Sequence, residues 1–425
     1  MRSVFVFALL LLTSLTAPAW AHAPATEPDL QLEGDLPTEP TPVTAPGGTP
    51  ADSQQKRLLG TLTDKLTSVV QGTVLGGYGE FEFHKERGVD SFFNHHRYIL
   101  FISSQLHPRI SAATEFEIEF GGSPRKRDGV QQAGEAILEF SVVDFRFNDA
   151  INLRAGILLV PFGAYNLRHD APTQDLSERP KPLTTVTPTT WFESGAGFFG
   201  RFDLGKHKLS YELYAINGLD AKIGEEFGMK GAVGSKGEDN NDDKAIVGRV
   251  AWSPNLHLEL AASGYSGEYD DSGNRVHMAG ADVTAKLGWF ELQGEFVGAA
   301  IDPGFVEGFS ASSPANTRRA VPEGMLGGYL QTNMHFTWPW LFSFLPDDLP
   351  DATFTGVLRA EVADTNTAAV GASDTHKLTA GLNFRPIEAY VLKTELQLVS
   401  HGAHSPWSGD WTSVPKFVTS IAFLF

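Results

Sequence analysis

The stretch TEFEIEF, Thr114 to Phe120, sets Glu115, Glu117 and Glu119 two residues apart. On an extended chain such carboxylates share one face and stand close enough to perturb each other's ionisation, an arrangement used in acid–base work. No nucleophile, histidine partner or oxyanion donor accompanies them at a useful spacing, so the row reads as a solvated wall. GAGFFG, Gly195 to Gly200, matches the GxGxxG pattern. It lies in an alternating strand pattern with no helix after it, so the geometry that cradles phosphate is missing. Glycines there provide close approach or a bend. In EDNNDDK, Glu238 to Lys244, the residues Asp239, Asn241 and Asp243 match the first EF-hand spacings. Lys244 replaces the required glycine and Val250 the bidentate glutamate, which rejects the motif. His95 and His96 are neighbours, so a strand sends them to opposite faces, and no HExxH occurs. With no cysteine in the chain, thiolate metal sites and disulfides are excluded. These residues predict no catalytic set, no metal site and no cofactor.

The elements that position such residues are read from pattern. The 425 residues carry a net charge of −18, which argues against nucleic acid as a partner. A hydrophobic content of 42% suits a soluble chain, or a membrane barrel that faces lipid with every second residue. Arg2, the apolar run Val4 to Leu12 and the small-residue exit Ala19-Trp20-Ala21 read as a secretory signal peptide over 1–21. Residues 22–56, rich in Pro, Thr, Ala and Gly, read as a disordered linker. Leu58, Leu59, Leu62, Leu66, Val69 and Val70 follow helical spacing and predict a short amphipathic helix over 57–72.

From about Thr73 the period becomes two. Phe116, Ile118 and Phe120 oppose the glutamates; Ile151, Leu153, Ala155 and Ile157 oppose Asn152, Arg154 and Gly156; Leu209, Tyr211 and Leu213 oppose Ser210, Glu212 and Tyr214. Sixteen such segments occur, with connections that alternate short (107–109, 148–150, 253–255, 386–388) and long (121–134, 161–189, 218–244, 300–324, 401–415). That is the signature of an all-β, transmembrane, antiparallel up-and-down barrel over 73–425, located in the bacterial outer membrane. Thr337 to Thr353 is longer than the short turn expected there, and its Trp338 and Trp340 suit interfacial anchors. The final run FVTSIAFLF puts Phe417, Thr419, Ile421, Phe423 and Phe425 on one face, as the last strand of a closed sheet in lipid.

From roughly Gly76 to Asn217 the chain resembles the phosphate-selective porin O and P family. The carrying stretches are FFNHHRYILF, AATEFEIEF, LRAGILLVPFGAYNLRH, ERP (178–180) and PTTWFESGAGFFG. The resemblance implies a sixteen-stranded barrel, often a homotrimer, passing small hydrophilic solutes or ions by diffusion. It also implies that the segment after VPFG is a long third loop folded into the lumen, with Arg168, His169, Asp170, Asp175, Glu178, Arg179 and Lys181 at the constriction. The terminal Phe423 and Phe425 resemble the signal for the barrel-assembly machinery. Glu115, Glu117, Glu119 and Arg154 fall on the pore wall, where carboxylates outnumber basic residues, and this predicts weak cation preference, or little preference, rather than phosphate selectivity. Arg125-Lys126-Arg127 and Arg318-Arg319 fall in outer loops and suit lipopolysaccharide phosphates. The alternative is a plugged barrel acting as an adhesin or structural protein through its outer loops; an enzyme is not expected.

Overall fold

The computed structural model describes residues 72–425, apart from 123–124, 128–129, 133, 135, 225–227, 234–240, 308–317, 338–348, 350–351, 370–372 and 403–413. The expected signal peptide, linker and amphipathic helix lie outside the described residues, as do Glu135, Asp239 and the two tryptophans of 337–353.

Sixteen antiparallel strands close into one barrel. In chain order the strands are β1 (Thr73–Glu86), β2 (Phe92–His107), β3 (Ile110–Glu119), β4 (Arg125–Arg127), β5 (Val130–Gln132), β6 (Ala136–Arg146) and β7 (Asn152–Leu159). Next come β8 (Phe192–Leu204), β9 (His207–Ile216), β10 (Ala245–Asn255), β11 (Leu258–Glu268), β12 (Arg275–Leu287), β13 (Phe290–Ile301), β14 (Phe305–Glu307) and β15 (Arg318–Ala320). The chain finishes with β16 (Gly324–Phe336), β17 (Thr353–Asp364), β18 (Asp374–Ile387), β19 (Tyr390–His401) and β20 (Val414–Leu424). β4–β5 and β14–β15 are small ribbons inside long loops; the other strands pair with their sequence neighbours.

Closure comes from β1 against β20, with register from Tyr78↔Leu424 to Glu86↔Lys416. Phe425 N–H donates to Gly77 O at 3.0 Å and Gly77 N–H returns to Phe425 O at 3.1 Å, so the last residue is paired to the first strand. Alternation sorts the side chains as lipid requires. Phe198, Leu213, Phe296, Leu358 and Phe417 are exposed on the outside, while Val418, Ser420 and Ala422 are buried inside.

Two bulges change which side chains face the lumen. The β1–β2 register shifts between Glu80 and Phe81, which leaves His96 as the extra residue. The β3–β6 register shifts between Glu115 and Phe116, which leaves Glu139 unpaired between Leu138 and Phe140. A bulge re-aims a side chain; here it turns Glu139, fully buried, to the inner face. Strict alternation also misplaces some strand ends. β18 runs past Pro386 into the expected short connection 386–388, through a shift between Phe384 and Ile387.

Candidate functional site: the third loop against the inner wall

The connection from β7 to β8, hereafter L3, leaves the wall at Val160 and returns at Trp191. Val160 N–H donates to Trp191 O at 3.0 Å. Asn166, also buried, closes the same neck: its Nδ2 donates to Val160 O and Trp191 O, and its Oδ1 accepts from Trp191 N–H, all at 2.8 Å. The Trp191 ring packs 5.1 Å from Tyr265 and 6.3 Å from Phe162. Gly163 follows with φ 75°, and a Cβ there would run into the Glu295 carboxylate, so no other residue fits. Asn166→Ala leaves the Trp191 N–H unpaired in a buried neck, while Trp191 O keeps Val160 N–H and Val160 O keeps Phe162 N–H, and costs about 1–3 kcal/mol. Urea unfolding in vesicles checks this, with proteolysis at L3 expected before global unfolding.

From the neck L3 crosses the lumen, touching wall after wall. Tyr165 N–H donates to Glu295 (β13) at 3.2 Å, and Arg168 reaches Glu259 (β11) at 2.8 Å. His169 Nε2 lies 3.0 Å from Glu139 (β6). Lys393 (β19) donates to Ala171 O at 2.7 Å. Asp175 accepts from Asn333 (β16) at 2.7 Å, and its backbone carbonyl accepts from Asn383 (β18) at 2.7 Å. Ser177 donates its N–H to Glu395 (β19) at 3.1 Å and shares a hydroxyl contact with Ser420 (β20) at 2.7 Å. Glu178 pairs with Lys377 (β18) at 3.2 Å and with Lys416 (β20), while its carbonyl accepts from Arg359 (β17) at 2.7 Å. Lys181 N–H donates to Glu361 (β17) at 2.5 Å. The wall makes room with glycine. A Cβ at Gly327 would stand 2.6 Å from Pro182 Cβ, and one at Gly381 would stand 2.7 Å from Leu176 Cδ2.

This is a barrel lumen crossed by a loop tied to strands on opposite sides, and residues 72–287 match the model of the phosphate-selective porin O and P family. The chain belongs to that family. An uncharacterized protein of Aquifex aeolicus is 30% identical over 287 residues, which is 64% of this chain and 64% of that protein. The match therefore spans less than two thirds of that relative. Among solved structures, an anion-selective porin from Comamonas acidovorans aligns with a TM-score of 0.51 at 14% identity, covering 83% of this chain and 99% of that one. Salmonella typhi OmpF aligns with a TM-score of 0.54 at 10% identity, covering 83% and 97%. At those identities the two structures show the fold alone. Family and fold put this porin in the outer membrane.

The residues expected at the constriction do not form one ring. Glu115, His169 and Asp170 gather on the β3–β6 side. Glu178 and Lys181 sit against β17, β18 and β20, beside Lys377 and Lys416. Arg168 stands at β11, and Asp175 is enclosed by β16 and β18. The Arg179 Nε and Nη2 are buried without hydrogen-bond partners. Arg154 is away from L3, bidentate to Asp144 at 2.7 and 2.9 Å and stacked 4.7 Å over Phe199. Glu117 meets Arg97 at 3.7 Å, and Glu119 is half-buried.

The wall carboxylates are therefore mostly engaged. Arg249 binds Asp282 at 2.7 Å and Glu259 at 3.2 Å; Arg359 binds Glu361 at 2.7 Å; Arg97 lies 3.2 Å from Glu80. Arg97 and Asn166 are the central residues that spacing alone did not single out, whereas alternation puts Glu139 and Arg359 on the polar face. Arg97 meets Glu80 on β1 and Glu117 on β3, Asn166 closes the neck of its own loop, and Glu139 and Arg359 meet L3, contacts that alternation does not carry.

Two cavities have the opposite sign to the acid count. At the short-turn end a cavity of about 670 Å³ is lined by Arg109, Arg146, Arg154 and Arg201 against Asp149 and Glu212. Beyond L3 a cavity of about 450 Å³ is lined by Lys181, Lys377 and Lys416 against Glu86 and Glu178. Burial alone would raise the Glu178 pKa, but Lys377 and Lys416 overcome it and hold the carboxyl well below the usual range. A depressed carboxyl stabilises the folded form above its unfolded pKa, about 4.3, and the contribution is lost as pH falls through the depressed value. L3 thus stays fastened at pH 4 and loosens only in stronger acid, while Glu178→Gln removes that acid step. Protease cleavage of L3 against pH measures both.

Proposed function

We propose that this porin is a passive diffusion channel, not an enzyme, passing small hydrophilic solutes or ions through a lumen narrowed by L3. The observation that carries this reading is the inner face. Along most strands it stays polar and charged, from Glu80 and Arg97 to Lys393 and Glu395, while the outer face is apolar. Charges on a pore wall set which ions enter.

Counting carboxylates along the sequence predicts cation preference, but most of those carboxylates hold L3 or an arginine. Among the charged side chains that line the two cavities, seven are Arg or Lys and four are Asp or Glu, which supports weak anion preference instead. The reading includes a homotrimer, Phe423 and Phe425 as the signal for the assembly machinery, and outer loops set against lipopolysaccharide. Liposome swelling with a size series of uncharged sugars tests the channel. Rates that fall with solute size support it, and exclusion of every sugar by folded, inserted protein rejects it.

A second reading, a plugged barrel that binds through its outer loops, draws on one observation. Leu219, Ile223, Met229 and Ala232, from the connection between β9 and β10, are buried in the same cluster as Val186 and Trp191. Exclusion of every sugar would favour it and turn attention to loops 218–244 and 300–324.

A further inference from the structure

Four side chains meet between L3 and the wall in an arrangement that diffusion does not need. Glu115 comes from β3, Glu139 from the β6 bulge, and His169 and Asp170 from L3. One ligand atom each of Glu115, His169 and Asp170 lies within 4.8 Å of the others, and His169 Nε2 is 3.0 Å from Glu139 Oε1. Glu139 is 0% exposed, His169 4% and Glu115 6%.

The histidine tautomer decides what the cluster wants. His169 Nδ1 is 2.9 Å from the backbone carbonyl of Asn166. A carbonyl only accepts, so Nδ1 carries the hydrogen, and a neutral ring then turns the Nε2 lone pair toward Glu139. A lone pair facing a buried carboxylate at that distance needs a cation between them, either a proton or a metal ion. One ring nitrogen tied to a backbone carbonyl, with the other aimed at acidic ligands, is how metal-binding histidines are oriented. Both Glu139 oxygens, Glu115 Oε1 and His169 Nε2 are buried without a hydrogen-bond partner of good geometry.

We propose that Glu115, Glu139, His169 and Asp170 bind one divalent transition-metal ion of the zinc class, which fastens L3 to β3 and β6. One imidazole with three carboxylates suits zinc, whereas calcium and magnesium take oxygen ligands alone. The ion offsets negative charge that Arg179 nearby only partly balances. A second cluster of this kind among the described residues, Glu80, Glu82 and His96, already holds a cation: Arg97 stands 3.2 Å from Glu80 Oε2 and 3.0 Å from His96 Nε2.

The test is zinc titration of the full chain, chelator-treated in detergent, followed by calorimetry. This readout is independent of conductance. One zinc per chain is expected, with no competition from magnesium. His169→Gln and Glu139→Gln should each weaken binding by more than the roughly 100-fold that loss of an outer-shell partner costs. No zinc uptake at millimolar concentration overturns the site, as does uptake unchanged in both variants or lost in Glu82→Gln. Should the variants not fold, zinc-edge X-ray absorption of the wild-type protein decides. One imidazole among oxygen ligands at about 2.0–2.2 Å supports the assignment; two or more imidazoles overturn it.

Discussion

Cutting L3 back, with residues 162–190 replaced by a short Gly-Ser turn, raises single-channel conductance several-fold. L3 is the segment that crosses the lumen, with contacts to β6, β11, β13 and β16 through β20. Removing it widens the path and also releases the carboxylates it occupies. Glu139, Glu295, Glu361 and Glu395 then face water, while Lys377 and Lys416 lose Glu178 as their partner. The reversal potential should therefore move toward cations as conductance rises. Planar-bilayer recording reads both quantities at once. Unchanged conductance in a folded variant would mean that L3 does not set the constriction.

Arg359→Met destabilises the barrel by about 3–5 kcal/mol, the usual result of removing one partner of a buried ion pair. Arg359 is 2% exposed, and its Nε binds Glu361 at 2.7 Å while its Nη2 binds the Glu178 carbonyl at 2.7 Å. Methionine fills similar volume but leaves Glu361 buried with Lys377, 3.8 Å away, as its remaining side-chain partner. The loss is measured by urea unfolding in vesicles. The double variant Arg359→Met with Glu361→Gln should recover most of it, because the stranded charge is gone.

Much of the barrel was legible in the sequence for a simple reason. Lipid outside and water inside impose period two on every wall strand, so residues such as Phe417 to Phe425 reveal their faces without any knowledge of neighbours. Sixteen strands and the long third connection emerge from that and from loop lengths. What period two cannot carry is pairing across the lumen. Glu361 and Lys181 are far apart in sequence, and nothing local marks them as partners. The same holds for Lys393 with Ala171 and for Ser177 with Ser420. Their roles emerge only once the barrel closes. Alternation puts Glu139 on the polar face, but the bulge that seats it opposite L3 shows only once β3 and β6 are paired. The ribbons Arg125–Arg127 with Val130–Gln132 and Phe305–Glu307 with Arg318–Ala320 are too short for any period to show.

The acidic wall is the instructive case. Glu115, Glu117, Glu259, Glu361 and Glu395 do face inward, as spacing indicates. Counting them as selectivity charges assumed open water beside each. Several instead meet an arginine or an L3 backbone amide within hydrogen-bonding distance. Local sequence gives orientation, whereas net field depends on which charges remain uncompensated.

The most direct measurement is the conductance of the full wild-type chain in a planar bilayer, with the reversal potential read across a salt gradient. Discrete ohmic steps with a small reversal potential of anion sign are expected. The absence of steps from folded, inserted protein would contradict the channel.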